Sequence, residues 1–306
     1  MWLPRIRIKE VFEHGEKVAA AATSVNADSA SAPASVVERL TAVMIKSARE
    51  AKRHTNWIRP DAVYEGALTQ FVRDVMGHDV GSPFIASLSA FARRVAKAGM
   101  INSLSQTVLK VGSPGVPDFY QGTELWSLRL TDPDNRALVD LGYRQRLLEE
   151  LQGRLSADVC DRATLAADLL DRWDDGVIKM FTMTEALRVR RGCQDLFTAG
   201  EYLPLTVRLD PAMSSPQAVA FARRTSRHLA LIIVPRFSAG TVDQGLWPLG
   251  ADVWGDAVLM LPDASGDLVF SNVFTGEALS ASGGRFIPIA SLLSRFPVAI
   301  ATASLP

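Results

Sequence analysis

The run Pro114-Gly115-Val116-Pro117-Asp118-Phe119-Tyr120-Gln121-Gly122-Thr123-Glu124 constrains this chain more than any other stretch. Two prolines and two glycines bracket a short core at residues 116–120. That is the pattern of a buried parallel strand with a polar loop directly after it. The loop carries Gln121, Thr123, Glu124 and Trp126, then Asp132-Pro133-Asp134-Asn135-Arg136. Amide, carboxylate, guanidinium and indole groups this close together suit a polyhydroxylated ligand. Planar hydrogen-bonding groups meet its hydroxyls, and an aromatic face meets its C–H surface. A turn held by a salt bridge or two explains the same residues without a ligand, and chemistry alone does not separate the two.

Around this segment the pattern is helical. Val36, Val37, Leu40, Met44, Ala48 and Ala51 recur at three and four residues, in a helix expected to end near His54. Pro60 opens a second, with Val63, Ala67, Leu68, Phe71, Val72 and Val75 as its apolar stripe. Ser82-Pro83 begins a third, carrying Phe84, Leu88, Phe91 and Val95 and stopped by Gly99. Residues 102–110 form a short fourth helix leading into the strand. Residues 139–155, 163–173 and 177–191 read as three more.

Near Gly200 the composition changes. Seven short apolar runs follow, at residues 202–209, 218–223, 229–235, 257–261, 268–270, 286–289 and 298–301, most of them separated by Gly, Pro, Asp or Ser. Such spacing predicts an antiparallel, sandwich-like all-β domain. Residues 1–35 are irregular and rich in Ala, Ser and Asp toward their end, which suggests a solvated linker or a marginal helix.

Charge and cysteine usage exclude several classes. The 33 basic and 33 acidic residues cancel, so nucleic acid has no electrostatic case as a partner. Cys160 and Cys193 form no CxxC pair and no metal-ligand cluster exists, so reduced thiols, no metal, no cofactor and a cytoplasmic setting are expected. The first residues alternate charged and apolar side chains without a signal-peptide core, and nothing approaches the roughly 20 apolar residues of a membrane span.

The strand and its loop resemble the last barrel strand of the α-amylase superfamily, in which a Gly-x-Pro-x-x-Tyr-x-Gly-x-Glu pattern recurs. The longer run through Glu124-Leu125-Trp126 and Asp132-Pro133-Asp134-Asn135-Arg136 resembles, more specifically, the maltooligosyl trehalose synthases. Three further stretches agree: Ala48-Arg49-Glu50-Ala51-Lys52-Arg53-His54-Thr55-Asn56-Trp57, Asn102-Ser103-Leu104-Ser105-Gln106 and Arg295-Phe296-Pro297-Val298-Ala299. The similarity runs in order from about Val36 onward. It departs at Ala137-Leu138, where a second Arg-Pro is usual, and at Ser127 and Asn56, where Asp and Ser are usual.

By that resemblance the fold is α/β: the C-terminal part of a β/α (TIM-type) barrel with helical insertions at 36–199, then an all-β domain at 200–306. The implied activity is that of an isomerase of trehalose biosynthesis. It rearranges the reducing-end α-1,4 bond of a maltooligosaccharide to an α,α-1,1 bond. The superfamily's chemistry rests on three carboxylates placed after earlier barrel strands, the last in a His-Asp motif. Upstream of Pro114 the histidines are His14, His54 and His78, and only His78-Asp79 forms such a pair, in a glycine-flanked break between two helical stretches. A β/α barrel also takes about 250 residues, whereas 113 precede Pro114. The chain thus looks like the C-terminal portion of a larger enzyme, with no catalytic carboxylate of its own and a separate chain carrying the N-terminal barrel part as a possible partner. A non-catalytic carbohydrate-binding or scaffold module, or part of an α-glucan hydrolase, is the alternative.

The candidate substrate-binding residues are Lys52, His54, Trp57, Tyr120, Gln121, Glu124, Asn135 and Arg136. Each has a plainer reading beside it. Lys52 and His54 sit where the helix dipole favours cations, and Trp57 stacks on a glucose ring only by resemblance. Glu124 either faces substrate or orients backbone or an arginine, since no partner carboxyl stands evidently at the 5–5.5 Å a retaining pair needs. Asp132 to Arg136 form a turn by their own chemistry, and Arg136 bridges to Glu124 or touches a hydroxyl. Trp126 is a core anchor or a sugar platform.

Overall fold

A computed structural model of the chain describes residues 36–76, 83–156, 161–209, 217–262, 268–281 and 283–305. The expected irregular segment at 1–35, the His78-Asp79 pair, the Ser82 cap and Cys160 lie outside these. The described residues form two compact units. One takes those through Arg93 together with Ser127–Tyr143, and the other takes Arg94–Trp126 and Arg144–Pro306. Helices give way to strands near residue 200 as the composition does, but the compact units divide the chain elsewhere.

In the first unit, helix α1 spans Val36–Ala51 and α2 spans Ala62–Met76. Glu38 in the first turn and Arg49 in the last both favour the α1 dipole. The helix stops before His54, at Lys52, whose φ of 56° puts it in the left-handed position glycine usually takes. Asp61, and not Pro60, caps α2: its Oδ1 accepts from the backbone N–H groups of Val63 and Tyr64, each at 3.0 Å. The apolar stripe expected on α2 is only partly buried. Val72 is covered, but Val63 is 85% and Phe71 61% exposed.

Helix α3 runs unbroken over Pro83–Gly112, merging the two helices expected on either side of Gly99. A mid-helix glycine costs about 1 kcal/mol relative to alanine. Burial of Ile101, Leu104, Val108 and Val111 in the second half of α3 outweighs that cost. Phe84 and Phe91, on the expected core face of its first half, remain more than half exposed.

The strand expected at residues 116–120 does not form. The backbone there belongs to no sheet, Val116 is 93% exposed, and no strand precedes Glu201 among the described residues. A strand needs a neighbour to take its N–H and C=O groups, and here none is beside it. The segment is held by other means: Arg190 donates to the carbonyls of Val111, Ser113 and Gly115, and Lys110 to that of Asp118.

In the second unit, helices α4 (Leu141–Ser156), α5 (Arg162–Asp171) and α6 (Val177–Gly192) follow close to the expected places, and a short α7 (Gln194–Thr198) that was not expected comes after them. Among the described residues nine strands then form two antiparallel sheets. They are β1 Glu201–Pro204, β2 Val207–Arg208, β3 Gln217–Arg224, β4 His228–Arg236, β5 Val258–Met260, β6 Val269–Asn272, β7 Ala278–Ser280, β8 Phe286–Pro288 and β9 Ala299–Ser304. One sheet has the order β1-β3-β4-β9-β6-β7, the other β2-β5-β8. The single run at 202–209 thus splits between sheets, and β7 lacked a sequence signal.

The run Leu229-Ala230-Leu231-Ile232-Ile233-Val234 in β4 is buried on both faces. Leu229, Leu231 and Ile233 join Leu259, Ile287, Trp254 and Ala301 in the core that draws on both sheets. On the opposite face, Gly112 of α3 lies so close to Ile232 that a Cβ there would sit 2.9 Å from Ile232 Cγ1. Ser105 Oγ donates to the Pro235 carbonyl at 3.2 Å, tying the helix to the sheet. The helical layer therefore packs on the face of β4 opposite the core shared by the two sheets.

Candidate functional site

The first unit holds a cleft of about 540 Å³ lined by Lys46, Arg49, Glu50, Trp57, Asp132 and Arg136 among others. It is built by α1 and the turn at 131–136. Ala42, Ile45, Lys46 and Arg49 lie three or four residues apart and so share one face of α1. The turn is fixed to the helix by Arg39, whose Nε and Nη2 grip the Asp134 carboxylate at 2.7 and 2.8 Å and whose Nη2 also reaches the Leu128 carbonyl. The Arg39 hydrogen bonds hold the Asp134 carboxyl below its ordinary range. Asp134 is therefore a structural clamp.

Asp132 faces the cleft and pairs with two cations, Lys46 Nζ at 2.8 Å and Arg136 Nε. The Lys46 hydrogen bond lowers the Asp132 carboxyl and raises the ammonium. Glu50 Oε1 stands 3.6 Å from the same ammonium. On the other wall, Arg49 makes a two-toothed pair with Glu65, Nε to Oε1 at 2.8 Å and Nη2 to Oε2 at 2.7 Å. Thr55 Oγ1 adds a third bond to Glu65 at 2.6 Å and accepts from the Asp61 N–H. Arg49 first and Thr55 second hold the Glu65 carboxyl at about 2. The guanidinium lies over the Trp57 indole, 5.0 Å from its ring centre, and Trp57 itself is 55% exposed. Lys46, Arg49 and Arg136 are thus matched by Glu50, Asp132 and Glu65, and the cleft offers donors, acceptors and an aromatic face at no net charge. That suits a neutral polyol better than an anion.

Of the expected site residues, the cleft brings Trp57 and Arg136 together. Lys52 and His54 are exposed beside it in sequence, with His54 stacked on Tyr64 at 5.0 Å between ring centres. Asn135 is exposed in the turn. Lys46, Arg49 and Glu50 were not foreseen, although Lys46 and Arg49 share a helix face with Ala42, while Asp132 belonged to the run read as either a turn or a ligand-binding loop.

Tyr120, Gln121 and Glu124 belong to the second unit. Tyr120 and Gln121 are exposed in a tight turn, the Tyr120 carbonyl accepting from the N–H and Oγ1 of Thr123. The Glu124 carboxylate accepts from Gly122 N–H at 3.2 Å and from Arg144 Nε at 3.1 Å. It orients backbone and an arginine, and that arginine is Arg144, while Arg136 pairs with Asp132. Trp126 is an anchor: its Nε1 donates to the Trp173 carbonyl at 2.6 Å. It packs on Gly176, where any side chain would meet the Trp126 backbone. Beneath this loop sits the ammonium of Lys179, 3.4 Å from the Leu125 carbonyl, its pKa lowered to about 8 chiefly by burial. Among the described residues no group of three His, Cys, Asp or Glu side chains is arranged to hold a metal ion, and no helix is long and apolar enough to cross a membrane.

No protein-family model matches the chain. It is 29% identical over 262 residues to a putative maltooligosyl trehalose synthase of Mycobacterium tuberculosis, covering 86% of this chain and 28% of that protein. Among solved structures it is similar to maltooligosyltrehalose synthase from Arthrobacter ramosus, with a TM-score of 0.64 and 32% identity over 89% of this chain and 30% of that one. A second maltooligosyl trehalose synthase structure gives 0.59 and 27%, over 88% and 30%. The resemblance read from the sequence is borne out, and the chain spans less than a third of the length of these relatives.

Proposed function

We propose that this chain, a homologue of the maltooligosyl trehalose synthases, supplies substrate-holding surface to an enzyme that converts the reducing-end α-1,4 bond of a maltooligosaccharide into an α,α-1,1 bond. In this reading residues 36–199 belong to the C-terminal part of a β/α barrel, residues 200–306 are the β domain that follows it, and the nucleophile and the acid/base come from the N-terminal barrel part, outside these residues. The reaction is a retaining double displacement. A carboxylate takes the anomeric carbon, a second carboxyl protonates the leaving oxygen, and the released glucose is retained until its own anomeric hydroxyl attacks the glycosyl-enzyme. Water competes for that intermediate, so holding the glucose decides the outcome. The protein works in the cytoplasm, as an intramolecular transferase, and uses no cofactor.

The observation that carries this reading is the cleft, where the indole of Trp57 stands among paired charges contributed by two of the segments that resemble the family. The same geometry argues against bond-making here. Glu50 and Asp132 share the Lys46 ammonium, and the Lys46 hydrogen bond holds Asp132 below its usual range, opposite to what a general acid at neutral pH requires. The purified chain should therefore leave the reducing ends of maltopentaose unchanged. Loss of reducing ends that is abolished by Glu124→Gln or Asp132→Asn would overturn the assignment of the chemistry to residues outside this sequence.

A further inference from the structure

We propose that Arg49 reads a hydroxyl of the pyranose ring that packs on Trp57, with Glu65 and Thr55 as the groups that hold it in place. The inference rests on the sugar reading of the cleft and adds a residue to it. Arg49 carries five N–H donors in a rigid plane. Its pairing with Glu65 is side-on, through Nε and Nη2, and this turns Nη1 to the opposite edge of the guanidinium. Nη1 makes no hydrogen bond to a described residue. The side chain is 25% exposed, lines the cleft and lies over the indole, so the free donors stand beside the aromatic surface.

Glu65 is fixed in turn. Its side chain is 13% exposed, and it accepts from Thr55, which is itself buried and bonded to the Asp61 N–H at the start of α2. The chain Asp61–Thr55–Glu65–Arg49 locks the guanidinium before any ligand arrives, so little rotamer entropy remains to be lost on binding. A pyranose ring stacked by its C–H face presents its hydroxyls at the ring edge. The Arg49–Glu65 pair retains planar donors on the guanidinium and carries no net charge, which fits a hydroxyl and not a phosphate or carboxylate. Lysine cannot substitute, because one ammonium cannot fill the Glu65 fork and present a second edge.

The test is a saturation-transfer NMR titration of the full chain with maltopentaose at millimolar concentration. Parent, Trp57→Ala, Arg49→Lys, Arg49→Met and Glu65→Gln are compared, with thermal midpoints recorded for each. Loss of a hydrogen bond from a charged donor predicts weakening by about tenfold or more for both Arg49 variants, with no rescue by lysine. Glu65→Gln, which leaves Arg49 in place, should weaken binding while the chain stays folded. Parent-like affinity in Arg49→Lys or Arg49→Met, with binding lost in Trp57→Ala, would remove Arg49 and leave the sugar reading standing. Parent-like affinity in Trp57→Ala, or no response in the parent, would overturn the sugar reading and this inference with it.

Discussion

Replacing Lys179 by methionine should stabilise the protein at neutral pH and do the reverse in strong alkali. The ammonium lies in the first turn of α6, where the helix dipole already disfavours a cation. The residue is 9% exposed, and its hydrogen bond to the Leu125 carbonyl, the one it makes among the described residues, is long at 3.4 Å. Burial is the main reason its pKa falls from 10.5 to about 8, with Lys110 adding repulsion and Glu124 opposing the shift. The gap of 10.5 − 8, at roughly 1.36 kcal/mol per pH unit, is a cost of about 3 kcal/mol to the folded state while the amine is charged in both states. Methionine fills a similar volume without charge and gives up one weak hydrogen bond worth about 1 kcal/mol. The net expectation is a gain of about 2 kcal/mol below pH 8. Between about 8 and 10.5 the folded state of the parent sheds its proton while the unfolded chain keeps it, so the parent gains stability with rising pH. The advantage of the variant should shrink through that window and change sign above it. Urea unfolding of both proteins followed by circular dichroism across this range measures the difference directly. A difference that stays flat with pH, or a variant less stable at neutral pH, would refute the burial argument.

Two further expectations concern other parts of the molecule. The Glu65 carboxyl, held at about 2 against 4.5 when unpaired, contributes stability that is present above 4.5 and lost as pH falls toward 2. The gap in thermal midpoint between parent and Glu65→Gln should accordingly close on acidification, and a gap unchanged near pH 2 would count against the Arg49 pair as its source. Gly112→Ala would place a Cβ 2.9 Å from Ile232 Cγ1 and 3.2 Å from Phe221 Cζ. Overpacking of this kind costs about 1–3 kcal/mol, seen as a lower urea midpoint at unchanged slope; an unaltered midpoint would mean that the sheet yields to the helix.

What could be read beforehand follows from what is local. The α-helices of 141–192 and most of the strands after residue 200 announce themselves through period and turn residues, which neighbouring residues fix between them. The strand at 116–120 does not form because pairing is not local: Val116, Phe119 and Tyr120 have strand-like side chains but no adjacent backbone to bond. Gly99 misled in the opposite direction, since the penalty of one glycine is small beside four buried aliphatic residues further along α3. The cleft was half visible. Trp57 and Arg136 stood out as types that suit a sugar, whereas Lys46 and Arg49 looked like the solvated side of an amphipathic helix until the turn at Asp132 was seen to close over them. The stripes carrying Val63, Phe71, Phe84 and Phe91 were legible as apolar faces, and the described residues leave them largely uncovered.

The strand order of the larger sheet has a bearing on how the protein is made. β9 is the last of its strands to be synthesised, yet it lies between β4 and β6, joined to both. Until Ala299–Ser304 have left the ribosome, β1, β3 and β4 form one meander and β6 with β7 a separate hairpin, each with an open edge. At about 5–20 residues per second of synthesis, the meander waits several seconds for its central partner, with Leu231, Ile232 and Ile233 on a strand paired to β3 along one edge and open along the other. A nascent chain in that condition is a natural client for chaperones that shield hydrophobic edges, and loss of Ala299–Ser304 would cost it the middle of the sheet.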